Sequence, residues 1–171
     1  MTLPLGRTPA EFGYTLAMHD VRLYLEDLKV GDRYTTDEHP IDEGQITAFA
    51  ADFDPQPFHL DADLAKDSLF QGLAASGWHT AAITMRLMLG PGGPPLAGGL
   101  IGASANLRWP RPVRPGDVLH VECEVLEILP PRSKLERGWI RMHSRTVNQR
   151  GEDVQTAEMR VLVRTRTPPS P

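Results

Sequence analysis

Cysteine is nearly absent from this 171-residue chain, which contains a single one, Cys123. One thiol cannot form an internal disulfide, so we expect a reducing, cytoplasmic environment rather than secretion. No run of about 18 apolar residues, the length that spans a bilayer, occurs in the sequence. Residues 1–21 also lack the unbroken apolar core of a secretion signal. We therefore expect no membrane partner.

Positive charge is scarce as well, because 18 Lys and Arg residues stand against 22 Asp and Glu residues and the formal net charge is −4. Nucleic acid is not an expected partner, since phosphate binding requires a basic surface. The chain has no His-x-x-x-His motif and no cysteine pair, so we expect no metal site. The conceivable metal ligands are His59, Asp61, Asp63 and His79.

The length of the chain predicts a single domain over residues 1–171, with 1–20 and 167–171 as loosely ordered extensions. A hydrophobic content of 40% is enough to cover one helix and one face of a sheet. The Pro- and Gly-rich stretch at 91–99 is predicted to be a loop rather than a linker, because too little chain lies on either side for two cores.

Two segments have the pattern of helices. Asp42 and Gln45 form a capping-box pattern before apolar residues at i, i+3, i+4 and i+7, which predicts an amphipathic helix that ends by Asp54. The apolar residues are Ile46, Phe49, Ala50 and Phe53. A second helix is predicted from Trp78 to Leu89, directly after Gly77. This segment has almost no polar face, so we expect it to be buried on all sides.

The second half of the chain alternates polar and apolar residues, which is the period of a half-buried strand. Strands are predicted at 100–109, 118–128, 139–147 and 154–164, with a weaker early strand at 22–25 or 32–35. One polar face on each long strand indicates an antiparallel sheet covered on one side. The fold class predicted is α+β, a hotdog fold in which a curved antiparallel sheet wraps around one long central helix.

The segment between the two helices reads Asp54-Pro-Gln-Pro-Phe-His59 and carries the most informative residues of the chain. Asp54 and His59 form an acid/base pair, and the two prolines between them restrict the connecting backbone. Such groups catalyse only when they are held within reach of the proton that they move. Asp-Pro also opens ordinary turns, so the motif alone leaves both interpretations open. Asp52 is a rival carboxylate in the last turn of the first helix.

The start of the second helix offers an oxyanion donor. The first amides of a helix lack intrahelical acceptors and lie at the positive end of its dipole, so the backbone at Gly77 can hold an oxygen that gains negative charge. Glycine equally suits a crowded entry into the helix, where a side chain would not fit. Ser76 is a hydroxyl that lines this site, without the Gly-x-Ser-x-Gly elbow of a nucleophilic serine.

The stretch from Ile46 to Met88 resembles the MaoC-like dehydratases, the hydratase 2 group of (R)-specific enoyl-CoA hydratases. The loop of that family reads Asp-x-Asn-Pro-(Leu/Ile)-His, and residues 54–59 match it without a gap, with Gln56 at the Asn position. In the family the Asp and the His activate water. The resemblance therefore assigns this role to Asp54 and His59.

The family also has a His-Gly pair at the entry to its central helix, where the glycine amide receives the thioester carbonyl. Ser76-Gly77 corresponds to this pair, so the glycine is kept and the histidine is not. The resemblance implies a site in which Gly77, Ser76 and Gln56 bind the substrate. The run from Arg108 to Asp117 also looks like the family's approach to its long strands.

The resemblance implies a hydro-lyase of fatty acid metabolism, an enoyl-CoA hydratase or 3-hydroxyacyl-CoA dehydratase acting across a 2,3 double bond. It implies no cofactor, because coenzyme A enters only as part of the acyl-CoA substrate. A hotdog acyl-CoA thioesterase and a non-catalytic acyl-CoA-binding module are the alternatives. A single hotdog layer cannot hide its apolar interface, so we expect a homodimer or higher homo-oligomer.

Several cations are candidates for contact with the phosphates of coenzyme A, because Arg matches phosphate geometry. They are Arg108, Arg111, Arg114, Arg132, Lys134 and Arg137. Ordinary surface charge explains them equally well.

Overall fold

The structure is a computed structural model that describes residues 22–131 and 136–166. The predicted terminal extensions, together with Arg132 and Lys134, lie outside the described residues. The helices within them are α1 (Glu43–Phe53), α2 (Pro57–Leu60) and α3 (Gly77–Met88). The strands are β1 (Arg33–Thr35), β2 (His39–Pro40), β3 (Ile101–Arg108), β4 (Val118–Leu129), β5 (Arg137–Val147) and β6 (Asp153–Arg164).

These strands form an antiparallel sheet in the order β1-β4-β5-β6-β3, and β2 pairs with β4 away from this path. Strands β4, β5 and β6 lie where the alternating pattern predicts them, and β3 lies within the fourth predicted strand, 100–109. Of the two early candidates, 32–35 contains β1, whereas Leu23 makes only an isolated bridge to Leu96. The sequence pattern misses β2, because two residues are too few to show a period. Helix α3 packs against β4 and β6, as a hotdog fold requires.

Helix α1 begins at the predicted capping box. The Asp42 carboxylate accepts from the amide of Gln45 at 2.8 Å, and the Gln45 side chain accepts from the amide of Asp42 at 2.9 Å. Ile46 and Ala50 are buried. Phe53 is 73% exposed, so the apolar face of α1 is only partly buried, because this last-turn ring contacts Phe49 rather than the core.

The prediction that the central helix is buried on all sides is wrong for a single chain. The side of α3 that faces the sheet and helix α1 is buried and consists of His79, Thr80, Ile83, Thr84, Leu87 and Met88. The opposite side is exposed, because the sheet can cover only one side of a helix, and it is apolar except for Arg86. We call this side the exposed α3 face; its residues are Trp78, Ala82, Met85, Arg86 and Leu89.

Candidate active site

The segment from Asp54 to His59 is not a plain loop, because Pro57 starts the single turn of helix α2. Gln56 has an extended backbone in front of it, and proline suits the first position of a helix because its fixed φ is already helical. The amide of His59 donates to the carbonyl of Gln56 at 2.9 Å, which closes the turn. The turn carries the side chain of His59 inward, where only 4% of the residue is exposed.

The imidazole of His59 is oriented by a main-chain group. Its Nδ1 lies 2.7 Å from the carbonyl oxygen of Ala74. A carbonyl can only accept, so Nδ1 carries the hydrogen and Nε2 of the neutral ring keeps its lone pair. The amide of Ala74 in turn donates to the carbonyl of Phe58 at 3.2 Å, so the two segments are tied in both directions.

The free nitrogen of His59 faces the carboxylate of Asp54. The distance from Nε2 to Oδ2 is 3.5 Å, which is longer than a normal hydrogen bond. A single water oxygen can lie about 2.8 Å from both atoms at once, the usual length for an O–H donor. The pair can therefore hold one water molecule by two acceptors.

Two side chains donate to the carboxylate of Asp54. The Ser76 hydroxyl donates to Oδ2 at 2.6 Å, and the Gln56 amide donates to Oδ1 at 2.7 Å. The Ser76 hydroxyl is the main reason why the pKa of the Asp54 carboxyl lies below its usual range; Gln56 and His59 act in the same direction, and partial burial opposes them. The carboxylate is therefore ionised at neutral pH.

Ser76 joins this carboxylate to the start of helix α3. It is the N-cap residue of α3 and is 1% exposed. Its hydroxyl oxygen accepts from the amide of Trp78 at 3.1 Å while its hydrogen goes to Asp54. One buried hydroxyl thus caps the helix and orients the carboxylate.

Gly77 lies next to this cap as the first residue of α3. The reason for a glycine here is crowding, because a Cβ at this position would lie 2.8 Å from Cδ2 and Cε2 of the Trp109 indole. Its amide hydrogen has no acceptor in 22–131 and 136–166. The Trp109 indole packs on Gly77 without accepting a hydrogen bond from its amide, so this amide can still donate to a bound oxygen.

The other candidate residues lie apart from Asp54 and His59 or make contacts outside the site. Asp52 is exposed on α1. His79 is buried and stacked on Phe49, and burial, assisted by His39, lowers its pKa to about 4, so it is neutral. The guanidinium of Arg114 donates to the carbonyls of Gly72 and Leu73 at 2.6 and 2.9 Å, which makes it part of the loop structure rather than a free phosphate ligand.

Over the described ranges, no group of three or more potential metal ligands comes together. In the same part of the chain, no helix has the length and apolar character needed to cross a membrane.

Comparison with known proteins places this chain in a family. Residues 27–136, which are well over half of the chain, match the family described as MaoC like domain. The chain belongs to the MaoC-like dehydratase family. The chain is 56% identical to a MaoC-like dehydratase from Rhodospirillum rubrum, with a TM-score of 0.82 over 85% of this chain and 99% of that one.

Two further relatives carry functional names. The R-hydratase PhaJ1 from Pseudomonas aeruginosa is 33% identical, with a TM-score of 0.68 over 85% of this chain and 88% of that one. The 3-hydroxybutyryl-CoA dehydratase from Methylorubrum extorquens is 32% identical over 114 residues, which are 66% of this chain and 69% of the relative. The predicted family and hotdog fold are thus confirmed, and membership places the chain among hydratases and dehydratases, which are hydro-lyases.

Replacing the Ser76 hydroxyl of this MaoC-like protein tests its double role. In Ser76→Ala the pKa of the Asp54 carboxyl is expected to rise toward its usual value, because the main hydrogen bond that lowers it is lost. Helix α3 also loses its cap, which costs about 1 kcal/mol of unfolding free energy. A ¹³C NMR titration of the Asp54 carboxyl and urea unfolding at pH 7 measure the two effects.

The two contributions of Ser76 to stability differ in their pH dependence. A depressed carboxyl pKa in the folded state stabilises the fold above the unfolded pKa, and this part is lost as the pH falls through the folded pKa. The bond from Trp78 to the hydroxyl does not titrate. Ser76→Thr, which keeps the hydroxyl, is the control. If Asp54 titrated at the same pH in Ser76→Ala as in wild type, the hydroxyl would not be what lowers its pKa.

Proposed function

We propose that this MaoC-like protein is an enoyl-CoA hydratase and 3-hydroxyacyl-CoA dehydratase that uses Asp54 and His59 as its acid/base pair. The main support for this proposal is the 3.5 Å distance between the Asp54 carboxylate and His59 Nε2, beside the start of helix α3. The names of the R-hydratase and the 3-hydroxybutyryl-CoA dehydratase among its relatives support a substrate of this class.

The chemistry of hydration matches what the pair offers. The water oxygen adds to the β-carbon of the conjugated thioester, and the pair accepts the proton that this water releases. The electron pair of the double bond moves toward the α-carbon and the carbonyl oxygen. The pair then delivers a proton to the α-carbon, so one water is added and both side chains return to their starting state. Both side chains face the same water position, so both proton transfers are assigned to the pair.

The thioester carbonyl gains negative charge during this reaction and needs a hydrogen-bond donor. We assign this role to the amide of Gly77, at the positive end of the α3 dipole. Ser76 and Gln56 hold the carboxylate of Asp54 in place through its two oxygens. No cofactor takes part in this scheme, and coenzyme A is only the carrier of the acyl group.

The proposal is tested with enoyl-CoA substrates of increasing chain length, starting from crotonyl-CoA. We expect the conjugated absorbance to disappear and the product to have the (R) configuration. A saturated acyl-CoA serves as the control, because only a thioesterase releases free thiol from it. Thiol release from the saturated substrate, or acyl-CoA binding without turnover of any enoyl substrate, would contradict the proposal.

We also propose that two copies associate through the exposed α3 face. Trp78 and Leu89 on this face are 61% and 54% exposed in a single chain, and strand β3, which follows α3 in the chain, is an edge strand. Both features are apolar or unpaired surfaces that a second copy can cover. Strand β3 is exposed over residues 101–106, which agrees with an uncovered edge.

A charge at the centre of this face is expected to separate the copies. Met85→Glu places a carboxylate in both halves of a two-fold interface, and we expect the dimer dissociation constant to rise at least tenfold, or about 1.4 kcal/mol. Val30→Glu, which changes another exposed apolar residue, is the matched control. Light scattering after size exclusion measures the mass. A monomeric wild type, or a Met85→Glu dimer as tight as wild type, would contradict the assembly.

A further inference from the structure

A row of buried polar side chains connects the core to Gly77. Thr84 lies on α3, Thr146 on β5 and Gln155 on β6, and they are 4%, 1% and 1% exposed. The row ends at Trp109, directly after β3, whose indole Nε1 donates to Gln155 Oε1 at 2.8 Å. Buried polar groups in an apolar core are costly unless they are paired, so each of these bonds constrains the side chains on both sides of it.

The orientation of the Gln155 amide follows from its neighbours. The Thr84 hydroxyl donates its one hydrogen to the carbonyl of Thr80 at 2.9 Å. It therefore accepts from Gln155 Nε2 at 3.1 Å and from the hydroxyl of Thr146 at 2.6 Å. The carbonyl end of the Gln155 side chain is left to face the indole, which can only donate. Only one orientation of the Gln155 side-chain amide makes both of these hydrogen bonds.

The far side of the same indole lies on Gly77. A Cβ there would meet Cδ2 and Cε2 of Trp109 at 2.8 Å and Cε3 at 3.2 Å, so the ring packs directly against the first residue of α3. Trp109 is 41% exposed, and its only large aromatic neighbour in the described chain is Trp78, which contacts it edge-on at 5.4 Å. The bond to Gln155 is therefore the directional contact that fixes the ring on Gly77.

We propose that Trp109 and Gln155 form a positioning pair that sets the direction of the Gly77 amide. This inference rests on the proposed function, in which that amide receives the thioester oxygen. An oxyanion donor must point to where charge develops, and a displacement of about 1 Å weakens it. Neither side chain touches the reacting atoms; the pair acts through the position of the helix start.

The kinetic test uses Gln155→Leu and Trp109→Phe, which remove the two partners of one hydrogen bond. We expect each variant to lower kcat about tenfold, less than the 10²- to 10³-fold cost of deleting an oxyanion donor, because the amide is displaced and not lost. KM is expected to stay within about twofold, since the affected contact strengthens in the transition state. The double variant is expected to lose little more than either single variant, because both changes break the same contact.

Thr146→Val is the matched control, because it removes a bond of the same buried row at the end away from Trp109. It lowers stability but is expected to keep kcat within about twofold. The amide signal of Gly77, followed by NMR in ¹⁵N-glycine-labelled protein, gives a readout without turnover. It is expected to shift in Gln155→Leu, which keeps the indole, and to stay in place in Thr146→Val. Trp109→Phe is followed by kcat alone, because loss of the indole ring current moves this signal whatever the direction of the amide.

The outcomes separate the two proposals. A Thr146→Val variant that lost as much kcat as Gln155→Leu would assign the effect to core packing and overturn the inference. An unchanged Gly77 signal in Gln155→Leu would overturn it as well. If the wild type hydrated no enoyl thioester, the proposed function would fail, and the Gly77 signal would still decide whether the pair positions this amide. Trp109→Phe changes a partly exposed residue, so the test does not depend on the folding of Gln155→Leu.

Discussion

Asp54→Asn is expected to lower kcat for crotonyl-CoA hydration by about 10³-fold, within the 10²- to 10⁴-fold range of a general acid/base group. The amide has the size of the carboxylate, and its oxygen still accepts from the Ser76 hydroxyl. Its NH2 group cannot accept from the Gln56 amide, so one hydrogen bond to this side chain is lost together with the charge. The asparagine amide cannot take a proton from water at neutral pH. Steady-state kinetics on the folded variant measure the loss.

Asp52→Asn is the matched control, because Asp52 is an exposed carboxylate two residues earlier on α1. We expect it to keep kcat within about twofold of wild type, as surface changes away from the site usually do. If Asp54→Asn retained the wild-type rate, Asp54 would not belong to the acid/base pair. If Asp52→Asn lost as much, the catalytic carboxylate would have been assigned to the wrong residue.

His59→Asn is expected to lower kcat by about 10²- to 10³-fold. The amide nitrogen of asparagine falls near the position of Nδ1, so it can still donate to the carbonyl of Ala74 and keep the orientation of α2. The group at Nε2, which faces Asp54 at 3.5 Å, is removed. This variant separates the acid/base role of His59 from its bond to the main chain.

His143→Asn is the matched control for His59→Asn, because it replaces the same residue type at a position on β5 outside the site. It is expected to keep kcat within about twofold. A His59→Asn variant with wild-type kcat and an unchanged melting temperature would show that the imidazole takes no part in the reaction.

Much of the fold could be predicted because it depends on local chemistry. Asp42 and Gln45 satisfy each other's backbone amides within one turn, so the start of α1 is visible in four residues. Strands β4, β5 and β6 have one face toward the core and one toward solvent, and this produces the alternation that identifies them. The acid/base pair could be predicted for the same reason, since Asp54 and His59 are close in sequence.

The remainder depends on contacts between distant residues, which one sequence does not display. The carbonyl of Ala74 orients His59, but a main-chain carbonyl has no residue type that could reveal it. Trp109 packs on Gly77 from 32 positions away (109 − 77), so the sequence alone does not show why a glycine is needed there. The apolar surface of Trp78 predicts burial in general, without distinguishing a core from an interface with a second copy.

The kinetics of the double variant Asp54→Asn/His59→Asn test the central claim most directly, namely that the two side chains act as one unit on one water molecule. We expect kcat/KM for crotonyl-CoA hydration in the double variant to be about as low as in the less active of the two single variants. Residues that act together lose their joint contribution only once. Losses that multiply in the double variant would contradict the account, since they would show two groups acting independently.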